Sequence, residues 1–206
     1  PVARGRFITL EGGEGAGKST QIRLLAEALR GDGIAVTTTR EPGGAPGAER
    51  IRPLLVDGAA DRWDGVSEAL LHFAARREHL VRTVWPALDR GEWVISDRFA
   101  DSTMAYQGYG LGLGRALVET LYAPAVGDFR PDLTLVLDLP VEAGLARAAA
   151  RDAGRDGGGT RYERMGVDFH RRLREGFLDI ARREPDRCIV IDATQPVEAV
   201  AQAILA

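Results

Sequence analysis

Lysine is almost missing from this chain. Of 27 basic side chains, all but Lys18 are arginine. Cysteine is just as scarce: Cys188 stands alone in an apolar, strand-like run, which excludes an internal disulfide and makes a buried structural thiol the expectation. No apolar run approaches membrane-spanning length, and no signal-peptide pattern is recognisable, so a cytoplasmic location with no membrane partner is expected. The formal net charge of −3 is spread over mixed signs, which argues against a nucleic-acid-binding tail or a polybasic patch. A chain of 206 residues suits one domain, 1–206, with a sizeable core.

The single lysine lies in Gly12-Gly13-Glu14-Gly15-Ala16-Gly17-Lys18-Ser19, followed by Thr20, a fit to the phosphate-loop pattern G-x-x-x-x-G-K-[ST]. Backbone N–H groups of such a loop form an anion nest, and the next helix adds its positive dipole end. An ammonium on a flexible stem reaches between phosphate oxygens where a forked guanidinium is too wide. Ser19 or Thr20 can offer a hydroxyl to Mg²⁺. The context also fits, because the loop follows the apolar run Phe7-Ile8-Thr9-Leu10 and precedes an amphipathic helix.

Strand patterns occur at 6–11, 34–39, 93–97, 133–138 and 188–192. Helical patterns cover 18–30, 46–56, 65–90, 114–127, 141–153, 161–184 and 196–205. This alternation predicts an α/β domain whose parallel sheet carries helices on both faces. Ligands of such sheets bind outside the carboxyl ends of the strands. One such end carries Arg40-Glu41-Pro42-Gly43-Gly44, with Arg50 and Arg52 beyond it, and another carries Asp97-Arg98-Phe99. An aspartate there suits Mg²⁺ and an arginine suits a phosphate. Two phosphate-handling clusters beside one sheet point to transfer between two phosphorylated ligands. The glycine-rich stretch from Asp152 to Thr160 reads as the centre of a lid, 147–164, bearing Arg147, Arg151, Arg155 and Arg161.

Taken together, these segments resemble the thymidylate kinases over nearly the whole chain. The resemblance rests on the order and spacing of Leu10-Glu11-Gly12, Arg40 to Gly44, Leu71-His72-Phe73-Ala74-Ala75-Arg76-Arg77, Asp97-Arg98-Phe99, Ser102 to Gly108 and Asp192-Ala193-Thr194-Gln195-Pro196. It implies a P-loop nucleoside monophosphate kinase fold with a five-stranded sheet, MgATP as phosphoryl donor, dTMP as acceptor, and a homodimer packed through the 65–90 segment. By the same resemblance Phe73 stacks on thymine, Arg77 bonds its O4, and Ser102, Thr103 and Gln107 add acceptor contacts. Tyr106 lies beneath the sugar. Arg98 and Arg40, with Arg52 as a third cation, clamp the acceptor phosphate, while Ser19 and Asp97 hold the metal. Glu14, in a loop without arginine, resembles the bacterial subtype whose catalytic arginine comes from the lid. Arg151 is the leading lid arginine, with Arg155 or Arg161 as alternatives. Phe99 stands where the family often has tyrosine or histidine, His72 is read as a packing or surface residue, and the segment at Asp192 is read as an adenine cradle.

Overall fold

The computed structural model describes residues 4–153 and 160–206. Five parallel strands form one sheet in the order β2-β3-β1-β4-β5. They are β1 (Phe7–Glu11), β2 (Val36–Arg40), β3 (Trp93–Asp97), β4 (Leu133–Asp138) and β5 (Cys188–Asp192). The sheet is that of the expected P-loop kinase fold, with β2 beginning and ending slightly later than its sequence pattern indicated.

Alternation along each strand builds a core on both sides of the sheet. Phe7, Val94 and Val136 join one apolar cluster with Phe99, Leu173 and Phe177. Their neighbours Ile8, Ile95, Leu135 and Leu137 join the other, with Ile22 and Leu25 of helix α1 (Lys18–Gly31). Successive side chains of a strand face opposite ways, so a strand covered on both faces must be apolar at nearly every position. In β1 the apolar residues are Phe7, Ile8 and Leu10, and the strand is buried throughout, with Thr9 bonded to Thr134 and Glu11 to the turn after β3. Cys188 is buried as expected, and burial, with Asp101 nearby, pushes its thiol up to about 12.

The chain leaves β1 toward β2 on one edge and leaves its neighbour β3 toward β4 on the other side. The crevice at the carboxyl ends of β1 and β3 is therefore the topological switch point, where open α/β sheets bind ligands. Leu10 pairs with Asp97 and Arg40 pairs with Asp97, so the charged strand ends meet along one edge.

Helices α2 (Pro46–Val56) and α3 (Gly65–His79) wall one side of this edge. The expected 65–90 helix is present, but a π-helical turn, Leu80–Val84, separates α3 from α4 (Trp85–Asp89). Pro86 explains the interruption, because proline cannot donate the next ladder hydrogen bond. Two further features were not expected. Residues after β3 form α5 (Ala100–Thr103) and a π-helical segment, Met104–Gly110, where the sequence pattern showed no helix. The pattern at 161–184 also starts too early: α6 (Arg115–Val126) and α7 (Val141–Asp152) precede α8, which spans only Val167–Arg183. The last helix, α9, is Val197–Leu205.

Candidate active site

A cleft of about 610 Å³ opens at the switch point, floored by the β1–α1 loop. The loop's glycines are required by space as well as by conformation. A Cβ on Gly15, whose φ is 69°, would sit 2.1 Å from the Gly144 carbonyl oxygen. One on Gly12, at φ 138°, would meet the Leu137 oxygen at 2.5 Å. Helix α1 starts at Lys18 with no acidic residue in its first turn, so its positive end is not neutralised there. Lys18 is buried, and its Nζ donates to the carbonyls of Gly13 (3.1 Å) and Gly12 (3.4 Å). Burial and Arg98 lower its pKa, against the opposing pull of Asp97, Glu14 and Glu11.

Ser19 Oγ donates to Asp97 Oδ2 at 3.4 Å, while Asp97 Oδ1 is buried without a protein partner. A hydroxyl beside an unsatisfied carboxylate oxygen suits a hard, oxygen-seeking cation such as Mg²⁺. No group of three or more His, Cys, Asp or Glu side chains could hold a metal among the described residues. An ion here would therefore complete its shell with ligand oxygens and water, as Mg²⁺ does at phosphate sites.

Arg98 forms the wall facing Lys18. Its backbone has φ 72°, a conformation a non-glycine residue adopts only when held there. What holds it is a set of side-chain bonds, from Nη1 to the Gly12 carbonyl and Ser102 Oγ (both 3.0 Å) and from Nη2 to Glu14 Oε1 (3.2 Å). Tyr106 lies under the guanidinium, 4.9 Å from carbon to ring centre, and its hydroxyl donates to Glu14 Oε1 at 2.6 Å. Burial pushes the Glu14 carboxyl up, but Arg98, Lys18 and the Tyr106 hydroxyl outweigh it and lower the pKa. Glu14 is thus an anion locked between two cations.

Behind Arg98 sits Glu11, a supporting residue whose role had not been read from its motif. Its carboxyl accepts from Phe99 N (2.7 Å) and Ser102 Oγ (2.5 Å), fixing the turn that carries Arg98. Burial, then repulsion from Asp101, raise its pKa to about 8. A raised carboxyl stabilises the fold fully below its unfolded value of 4.5 and loses that contribution as pH climbs toward 8. Thermal melts should therefore show wild type losing Tm relative to Glu11→Gln as pH rises from 5 to 8. A constant gap between the two would contradict the burial argument.

The structure does not place the expected base-binding pair in the cleft. Phe73 is buried in the core against Tyr122 and does not line the cleft. Arg77 is exposed on the outer face, its Nη1 donating to the Ala125 carbonyl (3.3 Å) and its guanidinium over Trp85. The cleft-facing pair lies one residue earlier: His72 and Arg76, also spaced i, i+4. Arg76 is buried, donating from Nε to Glu41 (2.8 Å) and from Nη2 to the Phe99 carbonyl (3.1 Å) and Thr103 Oγ1 (2.9 Å). Its Nη1 is buried and has no protein partner. Thr103 therefore stands behind the wall and orients Arg76 instead of facing the cleft. His72 lies against Tyr162, with Nε2 2.9 Å from the phenol oxygen. Burial, then Arg76, Arg161 and Arg98, hold its pKa well below 6.5, so the ring is neutral.

Two arginine assignments also change. Arg40 turns aside to Glu49 (3.1 Å) and is absent from the cleft lining, whereas Arg52 lines it, anchored to the Pro42 carbonyl at 2.6 Å. Arg161 is fully buried, bound to Glu68 and to the carbonyls of Leu55 (2.6 Å) and Ala60 (2.9 Å). Fixed in this way it is a structural cation, unsuited to reach a transferring phosphate. Arg151 lines the cleft, with Nη2 3.0 Å from Glu163 Oε1. Arg147 lines it too, donating to the Ala193 carbonyl at 3.3 Å in the expected adenine segment. Arg155 lies outside the described residues. Gly15, Ala16, Gly17, Thr20, Ser102 and Gln107 all line the cleft, whereas Gly12 and Gly13 do not.

Comparison with known proteins agrees with this architecture. Residues 10–204 match the family described as Thymidylate kinase. The thymidylate kinase of Caulobacter vibrioides is 57% identical over 203 residues, covering 98% of this chain and 95% of that protein. That of Dinoroseobacter shibae is 53% identical, with 98% and 95% covered. The crystal structure of thymidylate kinase from Ehrlichia chaffeensis superposes with a TM-score of 0.79 at 36% identity, covering 98% of this chain and 97% of that one.

Proposed function

The chain belongs to the thymidylate kinase family and phosphorylates dTMP to dTDP with ATP as donor; we propose that the cleft residues divide this work as follows. The observation that carries the assignment of roles is the gathering of cations around one crevice, Lys18 on the loop with Arg98 and Arg52 lining the same cleft. ATP lays its phosphates along 12–19, with adenine toward Ala193 and Arg147. The dTMP phosphate lies at Arg98 and Arg52, its sugar over Tyr106, where a ring crowds a 2′-hydroxyl. The base lies between His72 and Arg76 Nη1, a donor suited to the O4 of thymine.

Phosphoryl transfer demands in-line positioning and charge neutralisation more than covalent chemistry. A dTMP phosphate oxygen attacks the γ-phosphorus, the bond to the β-phosphate oxygen breaks, and ADP leaves. The acceptor needs no general base, because the second ionisation of a phosphate monoester lies near ~6. Lys18 spans the β- and γ-phosphates, Arg98 draws the acceptor oxygen into line, and Arg151 supplies the lid charge of the subtype that Glu14 marks. Mg²⁺, held by Ser19 and Asp97, would neutralise phosphate charge. Within a single domain, 1–206, the proposed lid is 147–164, of which 154–159 lie outside the described residues. A homodimer forms through α3 and its continuation, where Val66, Leu70 and Val81 leave apolar side chains exposed along one stripe. Among the described residues no helix is long and apolar enough to cross a membrane. A cytoplasmic location is part of the same proposal.

An ADP-release assay across dTMP, dUMP, UMP, dCMP, AMP and thymidine tests the reading. The expected order places dTMP first, and thymidine is inactive because it lacks the phosphate that Arg98 holds. Preference for any other acceptor would contradict the base site.

A further inference from the structure

We propose that Glu68 is a positioning residue for base selection, fixing the side-chain amide of Gln107 so that its carbonyl oxygen receives the N3–H of the acceptor base. The inference rests on the reading of dTMP as acceptor. Glu68 lies on α3, one turn before His72 and two before Arg76, and only 1% of its surface is exposed. Its Oε1 accepts from Gln107 Nε2 and from the Tyr162 hydroxyl, both at 2.7 Å, and its Oε2 pairs with Arg161. A carboxylate only accepts hydrogen bonds, so it admits one orientation of the neighbouring amide. Rotated the other way, Gln107 would press its carbonyl oxygen against an anion.

The locked amide leaves Gln107 Oε1 buried without a protein partner, on a residue that lines the cleft. Arg76 Nη1, on the same helix face as Glu68, is the matching orphan on the donor side. Buried polar groups left unpaired by the protein are costly unless a ligand satisfies them. One acceptor and one donor complement the adjacent N3–H and O4 of thymine. Cytosine presents an acceptor and an amino donor at those two positions, the reverse at both. Glu68 touches neither edge of the base; it acts through Gln107. The same carboxylate also holds Arg161 and Tyr162, which tie the far end of the lid segment to the base wall.

Glu68→Gln keeps the shape but offers Gln107 a donor and an acceptor, so both amide orientations become satisfied. We expect the KM for dTMP to rise about 10-fold, with kcat and the KM for ATP within about twofold, and the preference for dTMP over dCMP to fall by about the same factor of 10. Gln107→Leu should show a similar loss. The double variant should be no worse than Gln107→Leu alone, since Glu68 works only through that amide. Multiplying losses, or an unchanged preference in Glu68→Gln, would overturn the proposal. Should Arg161 without its carboxylate unfold the variant, wild-type enzyme labelled with ¹⁵N-glutamine decides. The Gln107 amide protons should stay protected on adding dTMP, and the N3 proton of the bound base should become slowly exchanging. Free exchange of either would overturn the role. A wild type with no preference for dTMP over dCMP would instead refute the acceptor reading beneath it.

Discussion

Arg76→Ala should raise the KM for dTMP by about 100-fold while Arg77→Ala leaves it within about twofold. The contrast follows from helix geometry. The two arginines are adjacent in sequence, so their side chains point about 100° apart around α3. Arg76 is buried, lines the cleft and keeps one unpartnered nitrogen, whereas Arg77 rests over Trp85 on the outer face. Removing Arg76 deletes the donor for O4 and also strands Glu41, whose other oxygen faces His79 Nδ1 at 2.9 Å. A buried anion without its cation costs about 3–5 kcal/mol, so the same variant should melt well below wild type. The KM for ATP is the internal control, because the loop that binds it shares no bond with Arg76. Steady-state kinetics below the variant's melting range read both constants. Equal losses for Arg76→Ala and Arg77→Ala would mean that the base is not read from this helix face.

Lys18→Arg should cut kcat by about 100- to 1000-fold, much more than it weakens ATP binding. The chain has written every other basic position as arginine, so nothing in its general composition disfavours the exchange. The site itself does. Lys18 is buried under the loop with Nζ within 3.4 Å of the Gly12 and Gly13 carbonyls, and Arg98 is already bonded to the same Gly12 oxygen. A planar fork at residue 18 would press against Arg98 and could not lie between the phosphates as a point charge. Nucleotide phosphates would still meet the loop amides and the helix end, so binding survives better than turnover. Single-turnover measurement of ADP formation separates the two effects, and a near-normal rate would show that lysine is not required at this point.

Most of the scaffold was legible because its signals are local. Five short apolar runs, a glycine loop before an amphipathic helix, and Asp97-Arg98 after the third strand sufficed to predict a parallel sheet with ligands at its carboxyl edge, though not the strand order. The base wall was not legible, and the reason is physical. The i, i+4 spacing holds equally for His72 with Arg76 and for Phe73 with Arg77, and a phenyl ring is the better stacking surface. What decides is which face turns inward, and that depends on distant partners: Glu41 for Arg76 and the core around Tyr122 for Phe73. A signal was present nonetheless. Glu68, His72, Arg76 and His79 form one polar stripe at spacings of four, four and three on a helix whose buried apolar residues are Ala69, Phe73 and Ala75. Such a stripe marks a face turned toward polar company. Residues 100–110 escaped because the glycines at 108 and 110 are poor helix formers, while packing against α8 holds the segment in a π-helical coil. Arg161 was misread because a basic residue beside a glycine-rich stretch looks exposed, while partners far away in sequence, Glu68 and the carbonyls of Leu55 and Ala60, bury it.

The placement of the base is the central claim, and a crystal structure of the dTMP complex measures it directly. Thymine should lie against His72, with O4 about 3 Å from Arg76 Nη1. Thymine seated on Phe73 with O4 at Arg77 would contradict it.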